Sequence, residues 1–98
     1  MSTLSTGRGP SRNSERIVLG NRPLRNYLLD VVLALNRGVD NVEILGKGRH
    51  ISRAVALYNL LHGRLGDSLH LDKVEIGSVH EKGRRISYIR IVVSRRII

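Results

Sequence analysis

Cysteine, tryptophan and phenylalanine are all absent from this 98-residue chain, and methionine occurs once. Without cysteine there is no disulfide framework and no thiolate metal site. Without Phe or Trp, and with three tyrosines of which Tyr27 and Tyr58 fall on core-facing stripes, there is no row of exposed aromatics on which single-stranded bases would stack. No apolar run reaches the length of a membrane span, and no apolar leader is visible, so a cytoplasmic, non-membrane protein is expected. Acid is scarce too. Eight Asp and Glu stand against 17 Lys and Arg, a net charge of +9, and no acidic residue occurs anywhere from Ile44 to Gly66.

What is present is arginine, the bulk of the cationic excess. A guanidinium forks two hydrogen bonds onto one phosphate and enters narrow minor grooves, whereas lysine is a hydrated point charge. The balance therefore places nucleic acid ahead of an anionic membrane as partner. A chain this short buries only about 60 to 65% of its unfolded surface, which makes a second copy a natural source of further burial.

The pattern divides into a flexible basic tail, residues 1–15, and one folded domain, residues 16–98. The tail is rich in Ser, Gly and Arg, and its Arg8 and Arg12, like Arg95 and Arg96, are expected to add diffuse attraction only. Ile17-Val18-Leu19, closed by Gly20, reads as a strand. Pro23 then suits the first position of a helix, with Asn21 or Arg22 as its cap. Leu24, Tyr27, Leu28, Val31, Val32 and Leu35 keep helical spacing, and Arg37-Gly38 stops the helix. A second strand follows over Asn41 to Leu45.

Ile51, Ala54, Val55, Tyr58, Leu61 and Leu65 give a second helix. Leu57 and Leu60 widen its apolar arc, so it buries two sides, in a partner or within one deep core; Gly63 and Gly66 mark its end. Residues 71–81 and 85–96 flank Lys82-Gly83-Arg84 as a hairpin. The expected fold is α+β, β-α-β-α-β-β, a two-layer sandwich with two helices on one face of a four-stranded sheet and a long terminal hairpin.

Gly46-Lys47-Gly48-Arg49 leads straight into the second helix. Backbone amides at Gly46 and Gly48, the helix N-terminus, Ser52 and the cations Lys47, Arg49 and Arg53 make a phosphate-facing element; taken alone, a solvated basic turn reads equally well. The spacing fits neither nucleotide-loop pattern, Walker or dinucleotide. Lys82, Arg84 and Arg85 sit on an arm expected to reach about 15 to 20 Å, either along a groove or as an edge kept soluble by charge. His50, His62, His70 and His80 are scattered without a carboxylate pair, so neither a metal, a cofactor nor a catalytic residue is assigned; His50 is expected to be exposed.

Val18-Leu19-Gly20-Asn21-Arg22-Pro23, Asn26-Tyr27, Leu35-Asn36-Arg37-Gly38-Val39, Lys47-Gly48-Arg49-His50-Ile51-Ser52-Arg53-Ala54-Val55 and Val74-Glu75-Ile76-Gly77-Ser78 together resemble the Alba family of archaeal chromatin proteins. The resemblance covers roughly Arg16 to Arg96 and implies a dimeric, sequence-nonspecific binder of double-stranded DNA. Such a protein compacts DNA in the nucleoid, also binds RNA, and has no catalytic activity. It implies nucleic-acid contacts at Asn21, Arg22, Arg25, Lys47, Arg49, Arg53, Lys82, Arg84 and Arg85, with the arm reaching toward the minor groove. The family carries two lysines before the proline, the first an acetylation site; Asn21 and Arg22 stand there, so this chain looks like an Alba 2-like paralogue without that switch. Leu65 takes the place of a bulky apolar residue through which dimers meet side by side. A homodimer or a heterodimer with a paralogue is implied. An RNA-directed role, as a ribonucleoprotein subunit or RNA chaperone, is the alternative.

Overall fold

The computed structural model describes residues 14–96. Its elements run β1 (Ser14–Val18), α1 (Leu24–Asn36), β2 (Asn41–Lys47), a 3-10 turn (Gly48–His50), α2 (Ile51–Leu65), a second 3-10 turn (Gly66–Ser68), β3 (Leu69–Glu81) and β4 (Arg84–Arg95). The sheet order is β1-β2-β4-β3. β1 lies parallel to β2, and the other two pairings are antiparallel. This is the expected α+β arrangement. Residues 1–13 of the expected tail lie outside the described residues, whereas Ser14 and Glu15 belong to β1, paired with Asn41 and Val42.

Both helices pack on one face, where Val42, Ile44, Ile89, Ile91 and Val93 meet Val31, Ala34, Leu57 and Leu61. Alternation along β2 sends Val42, Ile44 and Gly46 into that layer and leaves Glu43, Leu45 and Lys47 on the uncovered face. The end of α1 is a Schellman motif. Gly38, at φ 88°, donates to the Leu35 carbonyl at 3.1 Å, and Val39 donates to that of Ala34 at 3.4 Å.

Three local expectations are corrected. Pro23 caps α1 rather than opening it, and neither Asn21 nor Arg22 caps it with a side chain. α2 runs through Gly63 and ends at Leu65, with Gly66 turning the chain at φ 56°. The buried stripe of α2 is Ala54, Leu57 and Leu61, while Val55 is exposed. Leu57 thus belongs to the stripe, because Ala54, Leu57 and Leu61 fall within one 60° arc at 100° per residue and Val55 falls outside it.

Candidate nucleic-acid interface

Strand register determines which cations share an end of the molecule. β1 and β2 are parallel, so the loop after β1 and the turn after β2 leave the sheet at the same end. β4 is antiparallel to β2 and aligns Lys47 with Tyr88, which places Arg84–Ser87 and their partners Ser78–Glu81 beyond the end of β2, again on that side. The hairpin therefore projects four residues per strand, about 13 Å at 3.3 Å per residue, somewhat less than expected. Lys82 and Gly83 both have positive φ, 52° and 73°, the type I′ geometry that matches strand twist.

Tyr27 organises the first loop from beneath. Its ring is in the core, its hydroxyl accepts the Gly20 amide at 2.9 Å, and the Arg22 guanidinium stands 5.0 Å above its centroid. Asp30, one turn further along α1, pairs with Arg22 at 3.5 Å. The second connector closes against the first: Arg49 donates to Asn21 Oδ1 at 3.4 Å, and Arg53 donates to the Arg22 carbonyl. Asn21, Arg22, Arg49 and Arg53 thus form one cluster. No side chain caps α2, and its first turn holds no acid, so its N-terminal dipole adds to the positive field there.

The other expected site residues are placed as follows. Arg25, on the first turn of α1, and Lys82, Arg84 and Arg85, on the hairpin, are exposed and have no carboxylate within ion-pair distance among the described residues. Lys47 is held apart from the loop cluster: its Nζ lies 2.6 Å from Glu81 Oε2 on the uncovered sheet face. Leu65 packs partly on the core and borders a groove with Val32, Asn36 and Arg95.

Gly46 does not present its amide to a ligand as expected. It is buried, and a Cβ there would collide with the His50 carbonyl and stand 3.0 Å from Ala54 Cβ, so the missing side chain serves the close packing of strand on helix. Gly48, exposed at φ 57°, keeps the open position. His50 is half-buried rather than exposed, with its Nδ1 out of reach of solvent.

Two features escape a reading of spacing. Across the uncovered face runs a ladder in which Glu43 takes Arg16 at 3.3 Å and Arg90 at 2.9 Å, while Arg90 also takes Glu75 at 2.8 Å. The Glu43 hydrogen bond, opposed by partial desolvation, raises the Arg90 pKa above its ordinary value. Alternation alone places Arg90 on this face, but only the register supplies its partners. Tyr88 also lies here, its ring over Gly77, where a Cβ would stand 2.7 Å from the hydroxyl. Among the described residues no group of three or more His, Cys, Asp or Glu is placed to hold a metal ion, and no helix is long and apolar enough to cross a membrane.

Fold and site define a small α+β protein with its cationic connectors and hairpin gathered at one end of the sheet. Comparison identifies the kind: the Alba family model matches residues 15–78, and the chain belongs to the Alba family. It is 42% identical over 82 residues to DNA/RNA-binding protein Alba 2 of Saccharolobus solfataricus, covering 84% of this chain and 92% of that one. It is 34% identical over 80 residues to DNA/RNA-binding protein Alba of Methanocella arvoryzae, covering 79% and 83%. Among solved structures it resembles Alba from Thermoplasma volcanium, with a TM-score of 0.75, 26% identity and coverage of 83% of this chain and 100% of that one. The fold is also that of ALBA1 from Trypanosoma brucei, with a TM-score of 0.71, 21% identity and coverage of 89% and 72%. The family assignment makes this a non-enzymatic protein.

Proposed function

We propose that the chain is a sequence-nonspecific binder of double-stranded DNA that coats and compacts the chromosome in the nucleoid, and that it also binds RNA through the same cations. The convergence of both connectors and the hairpin on one end of the sheet carries this reading. The names of the archaeal relatives, DNA/RNA-binding proteins, support it. Arg22, Arg25, Arg49, Arg53, Lys82, Arg84 and Arg85 are the cations from which the phosphate contacts are drawn, and the exposed arm reaches along a groove. Asn21 orients Arg49 instead of supplying charge.

A second copy completes the surface. Leu71, Val74 and Ile76 on β3 face the helix side, opposite buried Val93, Ile91 and Ile89, yet β3 lies at the sheet edge and leaves them 40%, 49% and 76% exposed. Val55 adds to this stripe. Arg53, on the opposite flank of α2, reaches the loop before α1, which leaves the Val55 flank toward β3. A long apolar edge of this kind is a pairing hazard unless covered, and an isologous dimer covers it while doubling the cationic end. A paralogue with the same stripe fits equally, and Leu65 lies available for contact between dimers.

The test is the salt dependence of binding to duplexes of unrelated sequence. With about five phosphate contacts per dimer, log affinity falls against log salt with a slope near −4 to −5 and varies little with sequence. A strong preference for one duplex sequence contradicts the reading. Tighter binding to structured RNA than to duplex DNA of equal length at physiological salt favours the RNA-directed alternative.

A further inference from the structure

We infer that Glu81 is a built-in competitor of phosphate for Lys47, so that Lys47 engages a duplex only by giving up this carboxylate and releasing the hairpin arm. The inference rests on the nucleic-acid reading above and adds the residue that meters it. Lys47 ends β2 at the interface end of the sheet, and Glu81 is the last residue before the hairpin turn. Their 2.6 Å contact joins residues 34 apart in sequence and ties the tip of the projecting arm back to the end of β2. Register puts Glu81 opposite Arg84, so the one carboxylate on the projecting arm lies among Lys82, Arg84 and Arg85 and still gives its short contact to Lys47.

The pair is placed for exchange rather than for structural support. Its side chains are 36% and 42% exposed, so water and salt reach both partners and the bond is weak. The Glu43–Arg90 pair on the same face is less exposed, at 16% and 29%, and is backed by Arg16 and Glu75. A phosphate approaching the end of β2 offers Lys47 a charge-assisted partner of the same kind as Glu81. An isolated anion gains little from that swap. A duplex already held by Arg49 and Arg84 presents further phosphates at high local concentration, and the exchange then favours the polyanion.

A double-mutant cycle on the full chain with duplex DNA tests this, with circular dichroism confirming folding. Glu81→Gln tightens binding more than Glu75→Gln, a control of the same charge change on the same sheet face. Lys47→Met alone weakens binding less than about twofold, because Lys47 is already occupied, but weakens it about three- to tenfold in the Glu81→Gln background. Glu81→Gln also steepens the salt slope by up to about 0.9 for each phosphate gained. Additive effects of the two substitutions, or equal effects of Glu81→Gln and Glu75→Gln, overturn the inference while leaving DNA binding intact. Absence of duplex binding by the unaltered chain overturns the parent reading.

Discussion

The carbonyl of His50 occupies the space that a side chain on Gly46 would need, and Ala54 closes the same space from α2. This contact sets how closely the turn after β2 folds down onto the sheet, and so where Arg49 and Arg53 stand. Because the obstructing atom is backbone, it cannot swing aside. Gly46→Ala is therefore expected to cost about 2 kcal/mol or more through overpacking, read from denaturant unfolding, and to weaken duplex binding even where the chain remains folded. Unchanged stability contradicts the packing role.

Asn21 accepts Arg49 across the two connectors. Asn21→Lys replaces that acceptor with a second cation, losing the hydrogen bond but adding a phosphate contact. The expected result is tighter duplex binding with a salt slope steeper by up to about 0.9 per chain, together with stability lowered by about 0.5 to 1 kcal/mol. Calorimetry and titration at several salt concentrations check the two halves separately.

The apolar edge of β3 predicts a dimer that charge can split. Ile76→Asp places a carboxylate on a residue that is 76% exposed in the single chain, so monomer stability changes little, while burial of an unpaired charge opposes association. Sedimentation should show the variant as a monomer where the unaltered chain is a dimer, with weaker apparent DNA affinity. A variant that remains dimeric locates the contact elsewhere.

Removing one member of the Glu43 ladder separates fold from binding. Arg90→Met leaves Glu43, whose side chain is 16% exposed, with Arg16 as its remaining ion-pair partner, and should cost about 1 to 2 kcal/mol. Duplex binding should hold once the variant is folded, because this uncovered face carries balanced charge. A large loss of affinity without loss of stability would instead draw the sheet face into the interface.

Helical spacing made α1 legible from Leu24 to Leu35, and Gly38 announced its end because a Schellman turn needs positive φ there. The common end of the two connectors followed from chain order, since both are strand-to-helix joints in a parallel pair. The stripe of α2 was harder to read. Ala54, Val55, Leu57, Leu60 and Leu61 are apolar on overlapping arcs, and only packing on β2 and β4 selects Leu57 over Val55. Gly63 reads as a stop because glycine weakens helices by about 1 kcal/mol, yet Leu61 in the core and Leu65 packed against it carry the helix past that position. Proximity in sequence groups Lys47 with Arg49. Strand alternation sends it to the opposite face, and its pairing with Glu81 depends on a register between distant strands that no local pattern encodes.

If a single end of the sheet meets the polyanion, two equal changes of charge have unequal effects. Arg49→Ala with Arg84→Ala removes two exposed cations from that end; Arg64→Ala with Arg96→Ala removes two exposed cations from the far ends of α2 and β4. Duplex affinity measured across a salt series should flatten in slope by about 2 or more per dimer for the first pair and change little for the second. Equal flattening by both pairs would mean that charge acts diffusely over the whole surface, and would contradict this account.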